Sequence, residues 1–264
     1  MTANALRSPE WAGRLLDRSW RDGGVVGHQS SQTSQSLVIE DDHLPVRSCK
    51  STRRILMATS SGTLPAQPTP DEALQRLIDG NESFVADRPA DSDISRERRL
   101  ALAEGQQPFA TLVGCSDSRV GPEQLFGAGL GELFIVRTAG NNVDAAGMGS
   151  IEYSVAVLNV PLIVVLGHEK CGAVAAAADV VRKDVRFPGS IGRMVEPIIP
   201  AVLAAQRNAG EEELVDAAIE ENVRRMVERL QTYSEPMLID PQARGELKVV
   251  GAVYELATGR VRWL

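Results

Sequence analysis

Two short apolar runs constrain the fold of this chain most strongly, because each leads directly into a side chain that can bind a metal. Residues 109–113 are followed by a glycine and Cys115, and residues 162–166 by a glycine and His168. Such runs predict strands buried on both faces of a parallel sheet. Open α/β sheets carry their sites at the carboxyl edge of the strands. We therefore predict an α/β fold whose central, mostly parallel β-sheet is flanked by helices and holds Cys115 and His168 at one edge.

A third candidate ligand, Cys171, follows His168 after two residues. It precedes a predicted helix over 172–182, where exposed N–H groups and the helix dipole favour a thiolate. Two thiolates and an imidazole favour zinc over magnesium or calcium, and three protein ligands leave one position for water or substrate. The pattern predicts a catalytic Zn²⁺ site made by Cys115, His168 and Cys171.

Two charged residues beside Cys115 are candidates for proton chemistry. A zinc site with two thiolates and a neutral imidazole has no formal charge, so it acidifies water less than a three-histidine site. A hydrogen-bond acceptor beside the water then becomes important. Asp117 is the predicted acceptor, and Arg119 can hold its carboxylate through a bidentate, charge-assisted pair.

The segments 115–119 (Cys-Ser-Asp-Ser-Arg) and 168–171 (His-Glu-Lys-Cys) together resemble the signature of the β-class carbonic anhydrases. The resemblance extends through 132–141 and 151–153 and covers roughly residues 70–264, with Thr138 departing from a common asparagine. It implies a zinc lyase, a carbonate dehydratase that hydrates carbon dioxide reversibly to bicarbonate and a proton. It also implies that Asp117 orients or deprotonates zinc-bound water, and that Arg119 keeps Asp117 ionised and off the metal. In some members this aspartate becomes a fourth ligand in a closed state.

The resemblance to the plant-like branch of the family also implies a substrate pocket and an assembly. Gln106, nine residues before Cys115, would donate a hydrogen bond to bicarbonate. An apolar slot for carbon dioxide would be lined by Phe134, Ala139, Tyr153 and Gly172. Gln106 and Tyr153 would come from the partner subunit of a homodimer or a larger dimer-based assembly, with the N-terminal helices lying across that partner. The same branch does not imply an allosteric bicarbonate site.

Composition excludes other classes of function. A formal net charge of -7, without a basic cluster that includes aromatic residues, argues against a nucleic-acid partner. No apolar run reaches the roughly 20 residues that a membrane-spanning helix needs. The first residues lack the pattern of a signal peptide, and three cysteines fit a reducing compartment. We therefore expect a cytoplasmic protein with no membrane partner.

Composition changes near residue 70. Residues 1–66 mix glycine, serine, glutamine and charge without helical or strand periodicity, which predicts a disordered extension before a catalytic domain at 67–264. A start at Met57 is a second interpretation. Helices are predicted at 71–84, 94–104, 122–126, 149–159, 190–208 and 211–233, a turn at 127–131 and a final hairpin at 246–264.

Two alternatives to carbon dioxide hydration remain open at this stage. One is hydrolysis of carbon disulfide or carbonyl sulfide on the same scaffold, which would use the same zinc ligands. The other is a noncatalytic zinc module in which Cys49 completes a four-ligand structural site.

Overall fold

The computed structural model describes residues 66–88, 92–232 and 236–264. Cys49, Met57 and nearly all of the predicted extension lie outside these described residues, so the disorder of that extension stays a prediction. Among the helices of the described ranges, none combines the length and the apolar character that a membrane crossing requires.

A five-stranded sheet forms the centre of the described chain. Its strands are β1 (Ala110–Gly114), β2 (Leu133–Arg137), β3 (Leu162–His168), β4 (Lys248–Tyr254) and β5 (Val261–Trp263), in the order β2-β1-β3-β4-β5. The first four are parallel, and β5 pairs with β4 in the antiparallel hairpin that the sequence predicted. Every residue of β1 and β3 is buried, which confirms the prediction for the two apolar runs.

Helices cover both faces of the sheet. They are α1 (Pro70–Val85), α2 (Arg96–Leu102), α3 (Pro122–Leu125), α4 (Ala145–Ala156), α5 (Gly172–Lys183), α6 (Gly189–Val195), α7 (Ile199–Ala205), α8 (Leu214–Thr232) and α9 (Pro236–Ala243). The first of them starts at a capping box in which Thr69 and Glu72 satisfy each other's backbone N–H groups, with Pro70 at the first helical position.

The strands supply alternate side chains to two separate cores. In β1, Val113 packs with α4, α5, α7 and α8, whereas Leu112 packs with α1 and α3 on the other face. In β3, Val165 belongs to the same core as Val113, and Val164 belongs to the same core as Leu112. A sheet covered on both faces leaves the carboxyl ends of its strands as the place where polar side chains can meet.

One predicted helix is divided in the structure, and one observed helix was not predicted. The predicted helix 190–208 is divided into α6, a 3₁₀ turn at Glu196–Ile198 and α7. Pro197 and Pro200 each lack an N–H group and disfavour a continuous helix at the preceding residue, so the pattern cannot run through as one helix. Helix α9 was not predicted. The glycine-rich turn at 127–131 is confirmed, with Gly127 and Gly131 both at positive φ.

Candidate metal centre

The three predicted ligands lie together at the carboxyl edge of the sheet. Their donor atoms are all within 4.8 Å of one another, and all three residues are buried. Cys115 directly follows β1, His168 is the last residue of the neighbouring strand β3, and Cys171 is the N-cap of α5. The strand pairing therefore brings together residues that are more than 50 positions apart.

The two thiols are close enough to form a hydrogen bond. Their sulfur atoms are 3.9 Å apart, and a hydrogen bond from Cys171 is the main cause that lowers the pKa of Cys115 to about 4. The same bond, together with burial beside a thiolate, raises the pKa of Cys171. A divalent cation at this place would supply the positive charge that allows both sulfurs to be thiolates at once.

His168 places a ring nitrogen within 4.8 Å of both sulfur atoms. Its Nδ1 lies 2.8 Å from the carbonyl oxygen of Glu169, which assigns the proton to Nδ1 and leaves a lone pair on Nε2. That Nε2 is completely buried and has no hydrogen-bond partner among the described residues. A buried imidazole nitrogen without a partner, beside two thiols, fits the donor set that zinc prefers.

Asp117 lies beside this cluster and is held by Arg119. Arg119 donates from Nε to Oδ1 at 2.9 Å, from Nη2 to Oδ2 at 2.7 Å and from its backbone N–H to Oδ1 at 3.0 Å. The guanidinium group holds the pKa of this carboxyl far below its usual range. Oδ2 is 3.9 Å from Nε2 of His168. The ionised carboxylate therefore lies next to the three candidate metal-binding atoms, and Arg119 donates a hydrogen bond to each of its oxygens.

Comparisons with known proteins agree with this geometry. A family model described as carbonic anhydrase matches residues 110–261. Carbonic anhydrase 2 of Mycobacterium tuberculosis is 44% identical over 193 residues, which cover 72% of this chain and 91% of the relative. The carbonic anhydrase of Mycolicibacterium smegmatis is 44% identical over 192 residues, covering 73% and 92%. Among solved structures, the tetrameric β-carbonic anhydrases of Sordaria macrospora align with a TM-score of 0.58 at 26% identity, covering 73% of this chain and 97% of that chain.

The chain belongs to the β-class carbonic anhydrase family. It is a zinc lyase that hydrates carbon dioxide reversibly to bicarbonate and a proton.

Sequence reasoning gave no role to Arg137, the last residue of β2, although the residue stands within the segment that resembles carbonic anhydrases. Its Nε donates to the carbonyl oxygen of Cys115 at 2.7 Å and its Nη2 to that of Asp117 at 2.8 Å. Both carbonyls belong to the loop that follows β1. The side chain of Arg137 on β2 thus fixes the loop after the neighbouring strand β1. No local sequence motif indicates this contact.

The residues expected to line the substrate pocket lie at several different places in the chain's structure. The rings of Phe134 and Tyr153 are in contact, with centroids 6.3 Å apart, and Tyr153 is 44% exposed. Ala139 is half-buried and packs against the core, and Gly172 opens α5 beside Cys171. Gln106 is exposed in the segment between α2 and β1. Within one chain, therefore, the structure pairs Phe134 with Tyr153 and leaves Gln106 at the surface.

Proposed function

We propose that Cys115, His168 and Cys171 hold the zinc of this carbonic anhydrase and that Asp117 accepts a hydrogen bond from the attacking water. The observation that carries the proposal is the meeting of three buried donor atoms within 4.8 Å, with an ionised carboxylate next to them. When bound, zinc supplies the positive charge that acidifies water and polarises oxygen.

The chain's own residues orient the reaction around that metal. Asp117 Oδ2 accepts a hydrogen bond from the attacking water and so aims the oxygen lone pair at the carbon of carbon dioxide. Arg119 keeps Asp117 ionised and prevents the carboxylate from turning toward the sulfurs, because it engages both oxygens. Asp117 thus acts as an acceptor and not as a fourth ligand in this arrangement.

The substrate pocket of this proposal combines an apolar slot and one amide donor. Phe134, Ala139, Tyr153 and Gly172 form the slot, and Gln106 donates to an oxygen of the developing bicarbonate. The contact between Phe134 and Tyr153 supports the slot. The exposure of Gln106 fits a role in which its amide reaches the site of a partner subunit.

We infer a homodimer or a larger assembly built from dimers. Helix α2 buries no residue within its own chain, and Ile94 and Leu100 are 69% and 57% exposed. Tyr153 and Val157 add exposed apolar surface at α4. The Sordaria macrospora relatives are described as tetrameric, which agrees with such an assembly. We further propose a cytoplasmic location, since thiolate ligands persist best in a reducing compartment.

A stopped-flow assay of carbon dioxide hydration on protein of known zinc content tests the proposal. Wild-type protein should hydrate carbon dioxide in proportion to its zinc content, and His168→Ala should lose both zinc and rate. Full zinc content in His168→Ala would contradict the ligand set. Carbon disulfide and carbonyl sulfide belong in the same assay, since faster turnover of either would change the substrate while leaving the ligand set intact.

A further inference from the structure

A buried amide on helix α8 reaches one of the sulfurs through a single residue of the loop after β2. Asn222 is 4% exposed, and its Nδ2 donates to the carbonyl oxygen of Gly140 at 2.9 Å. The N–H of Gly140 in turn donates to Sγ of Cys115 at 3.3 Å. The two hydrogen bonds form a continuous connection from the middle of α8 to a predicted zinc ligand.

Gly140 needs an external partner to keep its orientation. Its φ is +74°, in the left-handed region, and a Cβ there would lie 2.6 Å from Cδ1 of Ile198 and 3.1 Å from Cβ of Ala173. This φ and these close contacts favour glycine, which is the residue with the least restricted backbone. The N–H and the C=O of Gly140 belong to neighbouring peptide units, which are joined by the φ and ψ rotations of this residue. A hydrogen bond that holds the carbonyl group therefore restricts the direction in which the N–H can point. Asn222 makes that bond.

The buried side of α8 around Asn222 is mostly apolar, although Asn222 also lines a pocket with Asn142 and Arg229. Its neighbours on α8, Ile219, Val223 and Met226, all belong to the hydrophobic core. Burying an amide among such side chains costs free energy unless the amide is hydrogen-bonded. The bond to Gly140 offsets that cost, and it connects this part of the core to the metal centre.

We propose that Asn222 is a positioning residue for Cys115, acting through the Gly140 N–H; this rests on Cys115 being a zinc ligand. An N–H donor withdraws charge from a thiolate, so the sulfur gives less charge to the metal. A zinc ion held here would stay more electropositive and would acidify water more strongly, which would partly compensate for a ligand set with two thiolates.

Substituting cobalt(II) for zinc allows the hydrogen bond to Cys115 Sγ to be tested by spectroscopy, because the energy of the sulfur-to-cobalt charge-transfer bands depends on the charge on the sulfur. We compare wild-type protein with Asn222→Leu, which keeps the shape and loses the donor, and with Asn222→Ala. The control is Asn81→Leu. Asn81 is also a buried asparagine on a helix, and it donates to the carbonyl of Gly259 at 2.9 Å on the opposite side of the sheet.

We expect both Asn222 variants to shift the charge-transfer band to lower energy, because the sulfur then keeps more charge. They should also bind zinc about 10- to 100-fold more weakly in a chelator competition, because Cys115 is no longer held in position. Asn81→Leu should lower the melting temperature and leave both readouts unchanged. The band is recorded from folded, cobalt-loaded molecules only, so a loss of stability does not hide the result.

Wild-type bands and zinc affinity in both Asn222 variants would overturn the proposal and reduce Asn222 to a stabilising residue. An equal band shift in Asn81→Leu would overturn it too, since the shift would then follow stability. A wild-type protein that binds cobalt without any sulfur-to-cobalt band would instead refute the ligand set, which separates the two failures.

Discussion

Replacing Asp117 by asparagine separates proton acceptance from metal binding. The structure gives Asp117 three hydrogen bonds from Arg119, and two of them end on Oδ1. Asparagine can keep those two through its own Oδ1. Its Nδ2 would then face Nη2 of Arg119, where the wild-type contact to Oδ2 is 2.7 Å, and two donors would oppose each other. The amide nitrogen that replaces Oδ2 can neither accept a hydrogen bond from the water nor pair with Arg119.

The size of the effect follows from the loss of that acceptor. A positioned proton acceptor contributes about 10²- to 10⁴-fold in rate, so Asp117→Asn should lose at least ~10²-fold in kcat, or about 2.7 kcal/mol of transition-state stabilisation. Zinc content should stay near one per chain, because the three donor atoms are unchanged. Stopped-flow hydration and elemental analysis on the same sample measure both quantities.

The pH dependence provides a second check on Asp117. Arg119 holds the pKa of this carboxyl far below its usual range, so Asp117 is ionised across the whole working range and contributes no inflection near neutral pH. The wild-type rate should therefore follow the titration of the metal-bound water. Because two thiolates weaken the acidifying effect of zinc, its apparent pKa should be at or above ~7, the value for a more electropositive three-histidine site. A zinc-loaded Asp117→Asn protein with the wild-type rate and profile would refute the role given to this carboxylate.

Other changes test the metal ligands, the hydrogen bonds from Arg119 to Asp117 and the N-terminal extension. Cys115→Ala or Cys171→Ala should remove most zinc and all hydration activity by elemental analysis and stopped-flow assay, whereas Cys49→Ser should retain both; loss of zinc in Cys49→Ser would favour a structural site. Arg119→Ala should hydrate carbon dioxide slowly, because the unclamped carboxylate of Asp117 can turn onto the metal, and a normal rate would contradict the clamp. A chain beginning at Met57 should sediment and turn over like the full chain, and a monomeric or inactive product would contradict the predicted disorder.

The parts of the fold that sequence predicted are those with strong local patterns. The two buried strands are continuous apolar runs, and α8 carries a long amphipathic pattern. Helix α9 has eight residues, begins at Pro236 and contains Pro241, so its pattern is too short and too interrupted to indicate a helix. The division of 190–208 likewise depends on where two prolines fall within an otherwise helical pattern.

The same distinction applies to the metal centre. The candidate sulfur and imidazole ligands were predicted because few residue types bind zinc and because Cys115 and His168 each follow an apolar run. Arg137 and Asn222 were not, since an arginine and an asparagine occur in many roles and their partners lie 22 and 82 positions away. Their contacts exist only once the sheet and α8 have assembled, and no local spacing encodes them.

The complete burial of β1 and β3 has a consequence for strand alignment. In a half-exposed strand, a slip of one residue is penalised because it turns apolar side chains into water. Here both faces are buried, so exposure of side chains to water penalises such a slip only weakly. A one-residue slip would nevertheless displace Cys115 by about 3.3 Å relative to His168 and turn its sulfur to the opposite face, beyond the reach of a Zn–S bond of about 2.3 Å. Zinc held by Cys115 and His168, as proposed, would therefore favour the observed alignment of the two central strands.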